Sequence, residues 1–311
     1  MWEELEEKIR ELFRLCNGKK VCIWGYNTSG RFCEYLFRRA YKTVEYIIDD
    51  SPVMKECYRS VLLRECDPDL HIVLLTFERD ENVVNFLTQL GYKENLNFVF
   101  VKEWFYGREY KGHKVISYLY WLENKYGLDI MQIRLVNELE KVNIDTHEYV
   151  SSTDADLMKI MSNFEIKTND AIFDFGCGKG GAIFLFLKMG IGRVGGVEFD
   201  SDLYQICLSN FRKMGVDSSD IMNEDAAQIT DVLDDYNYFY IYNSFEGKTF
   251  ENVVKHLEES YERNKRKMYL IYSNPYCHST VVRNGVFKLS KVIETNFYIK
   301  YAKIYSTRQE S

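Results

Sequence analysis

Ala171-Ile172-Phe173-Asp174-Phe175-Gly176-Cys177-Gly178-Lys179-Gly180-Gly181 is the stretch that decides the fold. Residues 171–175 read as a short apolar strand. Residues 182–189, all apolar but Lys188, read as the helix that follows. Between them, glycines let the backbone turn tightly and approach a ligand closely. The helix start beyond offers unpaired N–H groups and the positive end of a dipole. Such a start meets a carboxylate or a phosphate.

Outward from this turn, strand and helix patterns alternate. Strands are expected at 193–199, 220–223, 236–242 and 267–272, with helices at 201–214 and 250–264. That alternation implies a parallel sheet. Two last strands, 286–294 and 297–305, are joined at Thr295-Asn296 as a hairpin would be. Glu198 closes the strand after the glycine turn, where an acid accepts both ribose hydroxyls of an adenine nucleoside. Asp225 follows the next strand, at a level where a carboxylate accepts from the adenine amino group. Gly176-x-Gly178-x-x-Gly181 also fits the dinucleotide fingerprint, so an NAD-binding oxidoreductase is the competing reading. Asp174 weighs against it. A carboxylate there crowds a pyrophosphate but suits a ligand with a sulfonium and an ammonium group.

With these residues in place, 149–305 resembles a class I, seven-stranded, Rossmann-like S-adenosylmethionine (SAM)-dependent methyltransferase. The resemblance implies an α/β fold with an antiparallel last strand, and SAM as cofactor. It assigns Asp174, Gly176, Cys177, Gly178 and Gly180 to the methionine part of SAM, Glu198 to the ribose, and Asp225 with Ala226 to the adenine. Asn243 would stand beside the transferred methyl. Relatives carry Asn-Pro-Phe or a similar stretch there, whereas this chain has Asn243-Ser244-Phe245. Tyr149 and Thr153 are candidates for a lid over the methionine end, with Thr153 or Asp154 as a helix cap the alternative. Asn243 and His278 are the candidate catalytic residues, His278 as general base for a hydroxyl acceptor. An ordinary surface role is the alternative for His278, and is the reading preferred for His147. The glycine motif also resembles non-SET lysine methyltransferases, which keeps a protein N-methyltransferase open. A module that senses SAM without consuming it is the non-enzymatic alternative.

The first half shows a second strand–helix series. A helix is expected from Leu5 to Phe13, and strands at 21–24, 44–48, 71–76 and 97–101. Its turn, Gly25-Tyr26-Asn27-Thr28-Ser29-Gly30, with Asp49-Asp50 after the second strand, faintly resembles the Rossmann-like modules of sugar-modifying enzymes. Asn27 replaces the middle glycine and is expected to tolerate positive φ there. Residues 115–126 and 130–142 read as helices. The expected division is a Rossmann-like domain at 1–102, a helical connector at 103–148 and a methyltransferase domain at 149–311.

At 311 residues and 46% hydrophobic, the chain has material for two cores. A net charge of -7 argues against nucleic acid as partner. No apolar run reaches the roughly 20 residues that span a bilayer, so no membrane association is expected. Eight cysteines without a C-x-x-C pair and five scattered histidines point to reduced thiols, a cytoplasmic location and no metal. The acceptor is expected to be a small molecule. The faint N-terminal likeness makes a sugar or nucleotide-linked sugar, as in surface polysaccharide synthesis, the first choice.

Overall fold

The computed structural model describes residues 2–40, 42–109, 115–295 and 301–307. Two compact units divide the chain, Met1–Asn124 and Lys125–Ser311.

Unit 1 opens with helix α1 (Glu3–Leu15), whose Leu5, Ile9 and Leu12 form one buried stripe, with acids in its first turn. Strands β1 (Lys20–Trp24), β2 (Val44–Ile48), β3 (His71–Leu75) and β4 (Phe98–Phe100) alternate with helices α2 (Thr28–Arg39) and α3 (Glu81–Gln89). They form an all-parallel sheet in the order β2-β1-β3-β4. A short helix α4 (Val101–Tyr106) and helix α5 (Tyr118–Tyr126) follow. Asn27 corrects one expectation, because its φ is -81° rather than positive. It caps α2 instead, its Oδ1 accepting from Gly30 N at 3.1 Å while Nδ2 donates to Thr76 O at 3.0 Å. Gly25 carries the left-handed turn (φ 100°).

Unit 2 contains helix α6 (Asp154–Met161), then strands β5 (Ala171–Phe175), β6 (Arg193–Glu198), β7 (Ile221–Asn223), β8 (Tyr238–Tyr242) and β9 (Tyr269–Ser273). Helices α7 (Gly181–Lys188), α8 (Ser201–Met214) and α9 (Gly247–Arg263) connect them, and a short α10 (His278–Val282) precedes β10 (Phe287–Glu294) and β11 (Tyr301–Thr307). The sheet order is β10-β11-β9-β8-β5-β6-β7, with β5 to β9 parallel and β11 antiparallel to both its neighbours. Thr295 is described, but Asn296 and the expected strand start at 297–300 lie outside the described residues.

Period decides which face each strand buries. In β8, Phe239 and Ile241 enter a core with Phe173, Phe175 and Leu270, which α9 covers with Phe250, Val253 and Leu257. Tyr238 and Tyr240 take the opposite face. Helix α8 starts at Asp200, whose Oδ1 accepts from Leu203 N at 2.9 Å, and ends at left-handed Gly215.

The helix expected at 130–142 does not form. Only a 3-10 turn at Val136–Glu138 interrupts an extended segment. The reason lies in where its backbone groups find partners. Asp129 N and O bond Asn210, Gln132 O accepts from Lys179 Nζ, and Arg134 exchanges both backbone bonds with Tyr149. Asp200 Oδ2 accepts from Glu140 N and Lys141 N at 2.5 and 2.9 Å. The apolar period that resembled a helix face, Ile130, Ile133, Val136 and Leu139, leaves Ile133 and Val136 exposed. Residues 129–149 are a strap lying against the carboxyl ends of β5 to β8.

No described helix is long and apolar enough to cross a membrane. All eight cysteines are free, and five are buried.

Candidate functional site

The strap, the glycine turn and the carboxyl ends of β5, β6 and β8 enclose one crevice. Asp174, Gly176, Cys177, Glu198, Asp225 and Ala226 all line it, as does Tyr149. Gly178, Gly180, Thr153, Asn243 and His278 do not.

Gly178 shows why the turn needs glycine. Its φ is 54°, and an added Cβ would stand 2.1 Å from Cε2 of Tyr149. The Tyr149 ring therefore packs flat against the loop, its hydroxyl donating to Ile130 O at 2.6 Å. Gly178→Ala is expected to displace Tyr149 and cost at least about 2 kcal/mol, since overpacking adds to left-handed strain. A thermal midpoint unchanged from the parent would contradict this. At Gly176 (φ 82°) a Cβ would meet Ser244 Oγ at 2.4 Å. Ser244 donates its hydroxyl to Phe175 O at 3.1 Å and ties the loop after β8 to the end of β5.

Two acids sit side by side in this crevice. The Glu198 carboxylate accepts from Gly178 N and Asp200 N, both at 2.8 Å. It thus holds the glycine turn and the start of α8 in one geometry. Burial pushes its pKa up to about 7, against the pull of those N–H groups. Asp174 is buried on β5 with no hydrogen bond to its carboxyl from the described residues. Burial first, and then the charge of Glu198, push it up to about 8. A buried acid shifted by burial and by a neighbouring acid marks a candidate functional group.

Asp225 caps the turn after β7, its Oδ1 accepting from Ala227 N at 2.9 Å, and is half-buried at the crevice wall. Thr153 precedes α6 with its hydroxyl on Asp156 Oδ2 at 2.8 Å. Ser152 reaches the crevice and bonds the Tyr240 hydroxyl at 2.9 Å. Asn243 adopts φ 44°, and its Oδ1 is buried without a partner. His278 lies on α10, its Nδ1 2.8 Å from the Tyr305 hydroxyl, with its pKa lowered by burial and by Lys303.

Three residues were missed in the sequence. Lys179 is fully buried, pairing with Asp129, donating to Gln132 O at 3.0 Å and lying 5.3 Å from the Tyr149 ring centre. Asp200 binds two strap amides while capping α8. His147 lines the crevice with Nδ1 2.7 Å from Asn243 O. Lys179 stood within the quoted motif, but no local pattern distinguishes a buried lysine from a solvated one. The contacts of Asp200 depend on the strap, whose residues 130–142 were read as a helix, and His147 was read as an ordinary surface histidine.

In unit 1 the acids after β2 are engaged by their own chain. Asp49 accepts from Tyr26 N and Ser51 N, and Asp50 from Trp24 Nε1 and Ser60 N, all between 2.7 and 3.1 Å.

The strand order of unit 2, with its antiparallel insertion beside the edge, is the class I methyltransferase fold. No family model matches the sequence, and no curated protein matches it. Among solved structures, the chain is similar to a ribosomal protein L11 methylase from Lactobacillus delbrueckii subsp. bulgaricus at 11% identity, covering 50% of this chain and 78% of that one, with a TM-score of 0.39. It is similar to a SAM-dependent methyltransferase from Aquifex aeolicus at 12% identity, covering 49% and 90%, with a TM-score of 0.38. A SAM-dependent methyltransferase from Clostridium acetobutylicum gives 6% identity, 50% and 89% coverage, and a TM-score of 0.39. The likenesses extend over about half of this chain.

Proposed function

We propose that unit 2 is a SAM-dependent methyltransferase acting on a small polar acceptor. The observation that carries this is Asp174, a buried carboxyl without a hydrogen-bonding partner among the described residues, at a glycine turn whose next strand ends in Glu198. SAM would bring the ammonium that Asp174 lacks, the ribose hydroxyls that Glu198 can accept, and an activated methyl with its leaving group built in. Asp225 and Ala226 would border the adenine. The chain's own task is then alignment and exclusion of water. Tyr149, Ser152, Tyr240, Tyr242 and Ser244 all line the crevice walls. These hydroxyl-bearing walls favour a polar acceptor, and a sugar or nucleotide-linked sugar is the class to assay first. Incubation with methyl-labelled SAM and a panel of sugars and nucleotide sugars tests the acceptor. Label appearing in a basic protein but in no sugar would favour the protein N-methyltransferase instead.

The acids give this reading a pH signature. In the empty protein they are pushed up to about 8 and about 7. A bound cation and donor hydroxyls favour the ionised forms, so the complex holds fewer protons than the free protein. S-adenosylhomocysteine (SAH) should therefore bind more tightly as pH rises from 6 towards 8, releasing protons at pH 7. Titration calorimetry in buffers of different ionisation enthalpy checks it. Proton uptake, or none, would contradict the assignment of Asp174.

A further inference from the structure

The crevice has two sides about β5, and the sheet order separates them. Glu198 and Asp225 stand on the β6 and β7 side, Tyr240 and Ser244 on the β8 side. If the nucleoside lies over β6 and β7 with its tail at Asp174, as proposed above, the reacting group faces β8. The strap closes that side. Its Thr146 pairs with Phe245 as an antiparallel bridge, and Asp145 O accepts from Glu246 N at 3.3 Å.

His147 comes next in the strap and lines the crevice. Nδ1 lies 2.7 Å from the carbonyl oxygen of Asn243, which the left-handed backbone at φ 44° presents to it. A carbonyl only accepts, so Nδ1 carries the hydrogen. In the neutral ring Nε2 then holds the lone pair, 4.0 Å from the Glu246 carboxylate. The side chain keeps 25% of its surface exposed, so a proton can leave to water. A fixed tautomer, a carboxylate beside the free nitrogen and a place at the crevice wall are the parts of a general base.

We propose that His147 Nε2 takes the proton of the acceptor. This rests on the SAM reading of the same site. The acceptor's oxygen or nitrogen forms a bond to the methyl carbon as the carbon–sulfur bond breaks. The bonding pair stays on sulfur, giving SAH. The acceptor's proton passes to Nε2, and the imidazolium is held by Glu246 before it loses that proton to solvent. The acceptor is therefore one with an O–H or N–H proton to lose, and Asn243 is a positioning residue that acts through its backbone carbonyl.

Sinefungin tests this without knowledge of the acceptor, because it carries a primary ammonium where SAM carries its methyl. Calorimetry on the full chain compares sinefungin with SAH for the parent, His147→Ala and His147→Gln. The parent should bind sinefungin about tenfold more tightly than SAH, the effect of a hydrogen bond to a charged group. His147→Ala should erase that preference and leave SAH affinity unchanged. His147→Gln, which retains an acceptor oxygen, should keep part of the preference. A sinefungin-to-SAH ratio in His147→Ala equal to the parent's would overturn the role of His147, as would an equal weakening of both ligands. If the parent binds neither ligand, the SAM reading falls as well.

Discussion

Asp174→Asn is expected to raise the thermal midpoint of the ligand-free protein at pH 8 while weakening SAH about hundredfold. The two effects share one cause. The carboxyl is buried beside Glu198 and pushed up to about 8, so its ionised form is disfavoured in the empty protein. Its stabilising influence belongs to the protonated form. That influence is greatest below the unfolded pKa near 4 and is lost as pH rises through about 8. An amide of the same shape has no charge to desolvate, so the gain should vanish when the melt is repeated at pH 4. The same charge is what a cationic tail requires, and the amide cannot replace it. Adenosine, which lacks the tail, should bind parent and variant alike. Melts at both pH values with calorimetry of both ligands decide the matter. A variant less stable at pH 8 with SAH affinity intact would show that Asp174 is structural.

The second large effect concerns the strap. Lys179 is fully buried, whereas the Asp129 side chain keeps 38% of its surface in solvent. Removing either partner breaks the same ion pair, but the residue left behind differs. Lys179→Met leaves an aspartate that water can reach, and methionine fills much of the lysine's volume. Asp129→Ala removes the carboxylate that pairs with a fully buried ammonium. Breaking a buried pair from the side of its exposed partner costs about 3–5 kcal/mol, so Asp129→Ala should be the more destabilising change. Both variants should also weaken SAH, because the strap forms one wall of the crevice. Thermal unfolding of the two variants side by side provides the comparison. The reverse ranking would mean that Asp129, not Lys179, is the group that needs its partner.

These expectations show where the sequence was informative. The glycine turn, β5, α8, Glu198 and Asp225 were legible because a short apolar strand, a cluster of glycines and a strand-end acid are local signals. The two final strands were legible for the same reason, and β11 does insert antiparallel beside β9. The strap was not legible. Ile130, Ile133, Val136 and Leu139 recur at helical spacing, yet the partners of this backbone lie far along the chain at Lys179, Asp200 and Asn210. Periodicity carries no information about such distant acceptors. His147 was read as an ordinary surface histidine, and the candidate base that stood out, His278, bonds Tyr305 outside the crevice lining. Asn27 was misread for a smaller reason. Its side chain completes a helix cap, so no left-handed backbone is needed there.

Everything proposed for unit 2 depends on what the crevice beside Asp174 and Glu198 holds. Calorimetric titration of the purified chain at pH 7.5 with SAH, adenosine and NADH is the most direct trial. The account predicts saturable SAH binding with release of protons, weaker binding of adenosine, and no heat from NADH. Saturable NADH binding, or silence with both SAH and SAM, would contradict it.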